Sequence, residues 1–109
     1  MNSQIFKERV PLYILFSLLD DIALKKNNYY LFDMNAYKKM IYNGYHIKFC
    51  EILKEYYHKG KQFYLDRQMS YNTFTTILRQ ICKHEAIMFT SKINYNKSKY
   101  NIDYTIYFE

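Results

Sequence analysis

The chain contains very little glycine and proline. Its 109 residues include two glycines and one proline, and they form no linker, internal repeat or low-complexity tract. No glycine-rich loop that could hold a phosphate group is present. A chain of this length can bury roughly two-thirds of its unfolded surface in a single core. We therefore predict one domain over residues 1–109.

Cysteines and membrane-length apolar segments are also scarce. Cys50 and Cys82 are too few for a disulfide scaffold and lie within helical patterns, so we expect reduced thiols in an intracellular protein. An apolar run covers residues 10–19, whereas a membrane span needs about 20 residues. Asp20 and Asp21 follow this run in place of a signal-peptide cleavage site. These features predict a soluble chain without a membrane partner.

The sequence lacks the motifs of common enzymes and metal sites. It has no GxSxG motif and no carboxylate pair placed for acid–base catalysis. Zinc usually needs four ligands, and neither a CxxC nor an HExxH motif is present. The residues that could act as ligands are His46, Cys50, His58, Cys82 and His84. We predict no catalysis, no metal site and no cofactor.

Aromatic and basic residues, by contrast, are abundant. Aromatic residues make up 20% of the chain, with 14 tyrosines and 8 phenylalanines, and this apolar content excludes intrinsic disorder. The formal net charge is +6. Within residues 67–102, Glu85 is the only acid beside six lysines and arginines. This concentration of positive charge favours a polyanionic partner, nucleic acid before an anionic membrane surface; a general solubility bias is the alternative.

The first half of the chain predicts three helices and a short strand. The single proline suits the first turn of a helix over about residues 11–26. The run YYLF (residues 29–32) predicts a brief strand or an extended link. Asn35 is expected to cap a second helix over about residues 36–42, which ends at the following Asn-Gly pair. A third helix is predicted over roughly residues 45–58.

The second half predicts a short strand, a fourth helix and a β-hairpin. QFYLD (residues 62–66) is a plausible strand, and Ser70 or Asn72 is expected to cap a helix that runs to about His84. Apolar residues then alternate over residues 87–95 and again over 100–108, on either side of the polar segment NKSK. A period of two on both sides of a polar turn predicts a hairpin.

The fourth helix has an apolar face and an opposite face with basic and amide side chains. At 3.6 residues per turn, Phe74, Ile77, Leu78 and Ile81 share the apolar face. Asn, Gln, Thr and Arg side chains can bond to base edges, and Lys suits phosphate. We predict a nucleic-acid site, with Lys92, Lys97 and Lys99 of the hairpin neutralising phosphates. Its helix residues are Asn72, Thr76, Arg79, Gln80 and Lys83.

The order of the predicted elements favours an α+β fold of the winged helix-turn-helix type. A mostly helical N-terminal part precedes a basic helix, and a C-terminal hairpin follows it. In that fold the last helix enters the major groove, and the hairpin, or wing, lies along the backbone or in the adjacent minor groove. The predicted partner is therefore DNA, with RNA as a second choice.

Two stretches carry a resemblance to a group of viral proteins. They are FTTILRQICKHEAIMFTSKINYNKSKYNIDYTIYF (residues 74–108) and YYHKGKQFYLDR (residues 56–67), together roughly half of the chain. They resemble small, largely uncharacterised winged-helix-like proteins of nucleocytoplasmic large DNA viruses, mimivirus-like ones above all. The resemblance implies a viral setting, in the viral factory of the host cytoplasm or in the virion, and supplies no activity.

A protein-interaction module is the main alternative. Winged helices also bind proteins, and a fold does not determine a function. Exposed tyrosines favour interfaces of many kinds, and Tyr95, Tyr100 and Tyr107 lie in the predicted hairpin. The outer hairpin strand could pair with the edge of a partner's sheet. On this interpretation the protein is a homo-oligomer, a subunit of a viral complex or a virion component.

Overall fold

The computed structural model describes residues 11–53, 70–95 and 100–108, with the backbone alone for 50–53, 100 and 101. These residues form four α-helices and a four-stranded antiparallel sheet with the strand order β1-β2-β4-β3. The α+β class predicted from the sequence is therefore confirmed. The elements are α1 Leu12–Ile22, β1 Leu24–Lys25, β2 Tyr29–Phe32, α2 Met34–Asn43, α3 Tyr45–Leu53, α4 Tyr71–His84, β3 Phe89–Tyr95 and β4 Tyr100–Tyr107.

Helix α1 ends earlier than the periodicity predicted. It begins after Pro11, as expected, but stops at Ile22 instead of continuing to Lys26. The next two residues form β1, in which Leu24 pairs with Leu31 of β2. Strand β1 is only two residues long and lies at the end of the helical pattern, so periodicity did not reveal it, although its partner β2 begins only four residues later.

Helix α2 is capped by a different residue from the one predicted. The carboxylate of Asp33, and not the Asn35 side chain, accepts a hydrogen bond from the backbone N–H of Ala36 at 3.0 Å. Asn35 already lies inside the helix. The predicted end is confirmed, because Gly44 follows the helix with a left-handed backbone (φ 73°). Glycine is the residue that adopts this conformation without steric cost.

Helix α3 begins at Tyr45 as predicted and is described as far as Leu53. The rest of its predicted length, the QFYLD strand prediction and the NKSK turn lie outside the described residues. Within the described helices, none is long and apolar enough to cross a membrane.

Helix α4 has the predicted bounds and the predicted cap. The Ser70 hydroxyl accepts a hydrogen bond from the N–H of Thr73 at 3.1 Å. At the other end, the N–H of Ile87 donates to the carbonyl of Cys82 at 2.8 Å, and that of Ala86 donates to Lys83. These two bonds form a Schellman turn, with Ala86 in the left-handed position (φ 59°). The turn fixes the direction in which the chain leaves α4 for β3.

The sheet has one face that packs against helices. Strand β4 is central, since it pairs with β2 on one side and β3 on the other. Because side chains alternate along a strand, Tyr30, Phe32, Tyr104 and Ile106 share one face, and all four are buried. We call this the inner face. On the opposite, outer face, the described residues are half-buried or exposed.

The core lies between the inner face and the helices. Phe16 of α1 stacks on Tyr30, with ring centroids 6.0 Å apart. Phe74 of α4 contacts both Phe32 and Phe49, at 5.6 and 6.0 Å. The predicted burial of the apolar stripe of α4 is therefore confirmed. Fully buried aliphatic side chains at the centre are Leu15, Leu19, Met40, Leu78, Ile81 and Ile106.

Candidate nucleic-acid interface

Helix α4 presents one polar strip to solvent. Asn72, Thr76, Arg79 and Lys83 are all exposed, and we call these four residues the α4 strip. Gln80, the fifth predicted helix residue of the site, is half-buried. The strip is narrow because its members follow each other at spacings of three and four residues along the helix.

The first turn of α4 is attached to the sheet by Tyr71. Its hydroxyl donates to the backbone carbonyl of Ile102 and lies 3.4 Å from that of Phe32. Its ring also stacks on Phe32, with centroids 5.8 Å apart and planes 9° apart. Burial raises the pKa of Tyr71 well above its usual range, so the hydroxyl remains a hydrogen-bond donor. These contacts place the start of the α4 strip over the centre of the sheet.

Arg79 extends from α4 across the inner face of the sheet. The central carbon of its guanidinium lies 5.7 Å from the Phe89 ring centroid and 5.8 Å from that of Tyr104. Both distances are within the range of a cation–π contact. The side chain is nevertheless exposed, and the described residues provide no carboxylate partner for it. Its position is therefore fixed by two rings while N–H donors remain available to a ligand.

The only acid in this part of the chain does not oppose the strip. The Glu85 side chain is 1% exposed, with a carboxylate oxygen 3.7 Å from the His84 ring. Its charge is therefore directed into the protein at the end of α4. Among the described residues, no acid lies within ion-pair distance of Arg79, Lys83 or Lys92.

Lys92 lies apart from the α4 strip. It is exposed on the outer face of β3, because Phe89 and Ile93 on the same strand belong to the inner face. Its neighbour across the ladder is Asp103 of β4, which accepts a hydrogen bond from the Asn94 amide at 3.0 Å. The sheet thus separates Lys92 from Arg79 and places an acid beside it.

The other predicted hairpin cations, Lys97 and Lys99, lie outside the described residues. The part of the predicted site that the structure brings together is therefore the α4 strip with Gln80. Its chemistry combines a guanidinium that can bind two acceptors, amides that pair with base edges and an ammonium suited to phosphate.

The described residues offer little for nucleophilic or metal chemistry. Burial raises the pKa of the Cys82 thiol to about 12, and the thiolate is the reactive form. Cys82 is therefore a buried core residue whose thiol is unreactive. In the described ranges, no group of three or more His, Cys, Asp or Glu residues is arranged to hold a metal ion.

Sequence reasoning missed the residues that support the strip. Tyr71 was not among the predicted site residues, and Phe89 and Tyr104 belong to the two hairpin strands, which were predicted from their alternation alone. Their contacts with Arg79 and the strand carbonyls depend on how α4 lies over the sheet. The alternation of aromatic side chains on both hairpin strands is the signal that could have identified an aromatic surface there.

No protein-family model, curated protein or solved structure matches the chain.

Proposed function

We propose that the protein binds nucleic acid, double-stranded DNA before RNA, without catalysing a reaction. Helix α4 is the recognition helix of a winged-helix arrangement, and the β3–β4 hairpin is its wing. The order of α4 and the hairpin supports this arrangement, as does the pairing of the first long strand, β2, with the last strand, β4. The resemblance to viral proteins supports a role in viral DNA packaging, replication or transcription.

The observation that supports this proposal most strongly is the charge of the α4 strip. Arg79 and Lys83 are exposed without a carboxylate partner in the described part of the chain, and the nearby Glu85 is buried. An exposed helix normally carries acids as well as bases on its solvent face. A helix face without acids, held over a sheet by Tyr71 and by Arg79, fits the negatively charged surface of a duplex.

A salt series with matched lysine variants tests the proposal. Binding of labelled duplexes is measured by fluorescence anisotropy for the wild type, Lys83→Ala and Lys38→Ala. Lys38 is an exposed cation on α2 and serves as the control. If Lys83 contacts phosphate, its loss reduces the slope of log K against log salt by about 0.9. No duplex binding at low salt, or equal losses for both variants, would refute the proposal.

The wing makes a separate contribution. Lys97 and Lys99 are predicted from the sequence to contact phosphates. Neutralising both should weaken binding to all duplexes alike and reduce the salt slope by roughly 1.8. An unchanged slope would remove the two lysines from the interface without affecting the assignment of α4.

Protein interaction is the second candidate, and the edge of the sheet favours it. Strand β3 is a sheet edge that pairs only with β4 among the described strands, and Ile93 on it is exposed. Exposed edges with apolar side chains are templates for pairing with another chain. Sedimentation velocity over a range of concentrations tests this candidate. Self-association that Ile93→Glu abolishes, together with no DNA binding, would make it the better assignment.

A further inference from the structure

A groove with a volume of about 370 Å³ lies between α1 and α3, and we call it the α1–α3 groove. Its described lining residues all belong to these two helices. Ile14 and Leu18 of α1 and Phe49 of α3 form its apolar floor, and the last two are almost completely buried. Since none of the described lining residues comes from α4 or the sheet, the groove is a surface separate from the α4 strip.

Two exposed tyrosines line the same groove. Tyr13 of α1 is 74% exposed and Tyr45 of α3 is 37% exposed. Among the described residues, neither side chain has a hydrogen bond or a ring contact. A projecting ring beside an apolar groove gives one surface both a knob and a hole. Large aromatic side chains in this position are typical anchors of protein interfaces.

The groove also carries one acid and one base, each at an end of its helix that disfavours its charge. Asp21 lies in the last turn of α1, and Lys48 lies at the end of the first turn of α3. The helix dipole favours a cation at the first position and an anion at the second. Both side chains are exposed, and neither has an ion-pair partner among the described residues. These two charges therefore do little to stabilise a single copy of the chain.

The lining of the groove is complementary to a second copy of itself. In a twofold-symmetric interface, residue i of one copy contacts residue j of the other, and j contacts i. An axis through the groove thus brings Asp21 of each copy towards Lys48 of the other. The described lining has one charge of each sign, whereas the whole chain has a formal net charge of +6. Two positively charged copies repel each other least where they meet through a neutral surface.

We propose that the α1–α3 groove is the interface of a symmetric homodimer. In this dimer Tyr13 of each copy enters the groove of the other, and Asp21 of each copy pairs with Lys48 of the other. The inference does not depend on nucleic-acid binding, because none of these residues belongs to the α4 strip. It also places self-association at a different surface from the β3 edge.

Sedimentation velocity over a range of concentrations tests the dimer with charge reversals. The wild type is expected to form a concentration-dependent dimer. Asp21→Lys and Lys48→Asp each place like charges opposite one another twice per dimer, so each should raise the dissociation constant at least about tenfold. Lys38→Asp makes the same change of charge at an exposed position on α2 that does not line the groove. This control should dimerise like the wild type.

An equal mixture of the two charge variants should regain the dimer. In the mixed dimer, the lysine introduced by Asp21→Lys faces the aspartate introduced by Lys48→Asp, and the two unchanged residues also face each other. Association should therefore return to within about threefold of the wild type. Both substitutions give the helix end a charge that its dipole favours. Urea unfolding should accordingly show that neither variant is less stable as a monomer.

A tyrosine pair tests the predicted shape of the interface. Tyr13→Ala removes the projecting ring and should raise the dissociation constant at least about tenfold. Tyr42→Ala removes a tyrosine that is 89% exposed on α2 and does not line the groove. It should leave the dissociation constant unchanged.

Loss of the dimer in both charge variants, with recovery in their mixture, would support the inference. A wild type that stays monomeric at about 1 mM, or a mixture that does not recover, would overturn it. Self-association that Ile93→Glu abolishes and Asp21→Lys retains would also overturn it, because the interface would then be the β3 edge. Duplex binding is measured separately, so none of these outcomes decides the proposed function.

Discussion

The two faces of the sheet differ in charge and in cover. The inner face is uncharged on its hairpin strands and packs against α1 and α4. Among its described hairpin side chains, Ser91, Ile93 and Tyr95 are exposed. The outer face is half-buried or exposed throughout its described length and carries the polar pair Asn94 and Asp103. The difference shows that a charge count along the hairpin does not reveal which face carries the charge, because alternate residues lie on opposite faces.

The largest expected effect comes from separating α4 from the inner face. Leu78, on the apolar face of α4, is fully buried. Leu78→Ala should lower the free energy of unfolding by roughly 2–5 kcal/mol, through lost burial and the cavity that remains. Urea unfolding measures the change. Thr76 precedes Leu78 by two residues and lies on the exposed α4 strip. Thr76→Ala is the control and should change the free energy of unfolding by no more than about 0.5 kcal/mol. A small effect at Leu78 would contradict the described packing of α4.

Alkaline pH should destabilise the fold through Tyr30, which lies on the inner face. Burial and a hydrogen bond to Asp20 raise the pKa of Tyr30 from 10.0 to about 12. The folded protein thus favours the neutral phenol, whose stabilising contribution is complete below pH 10 and is lost as the pH rises towards 12. Urea midpoints measured from pH 7 to pH 12 should fall over this interval. In Tyr30→Phe the fall should be smaller, and a wild-type midpoint that stays constant to pH 12 would contradict the prediction.

Much of this architecture was predictable because two periodicities are strong. The 3.6-residue stripe of α4 and the alternation of the hairpin gave the correct elements, and Ser70 was among the predicted caps. The errors occurred where local sequence allowed two solutions. Asp33 and Asn35 can both cap a helix, and residues 24–25 continue a helical pattern until they pair with β2.

The exposure of the α4 site residues could be predicted from the sequence, but their position relative to the hairpin could not. A helical wheel places Asn72, Thr76, Arg79 and Lys83 together, and the structure confirms that all four are exposed. Which hairpin face meets α4 depends on tertiary packing, so the separation of Lys92 from Arg79 was not foreseen. The burial of Glu85 depends on the turn after α4 and was likewise hidden from the sequence.

A pair of variants on the two faces tests whether the inner face is the binding side. Arg79→Ala should weaken binding to the preferred duplex by about 1–3 kcal/mol if Arg79 makes a bidentate base contact, and should reduce sequence preference. Lys92→Ala should change affinity far less, because Lys92 projects from the outer face beside Asp103. Anisotropy with several duplexes measures both. Equal losses of affinity for the two variants would place the outer face in the interface and contradict the assignment of the inner face as the binding side.

The smallest expected effect concerns the turn that sets α4 against the hairpin. Ala86 and Gly44 both follow a helix with a left-handed backbone, at φ 59° and φ 73°. The left-handed conformation costs a residue with a Cβ about 1–2 kcal/mol, whereas glycine loses more backbone entropy on folding. Ala86→Gly should therefore stabilise the protein by about 0.5 kcal/mol.

The same reasoning gives the opposite sign at Gly44. Gly44→Ala should destabilise the protein by a similar amount through backbone conformation alone, because a Cβ added there meets no atom within 4 Å. Urea unfolding of both variants measures the two changes against each other. Two changes of the same sign would show that contacts around Ala86, and not its backbone angle, determine the stability of the turn. DNA binding by Ala86→Gly should stay unchanged, because the two hydrogen bonds of the turn do not involve the alanine side chain.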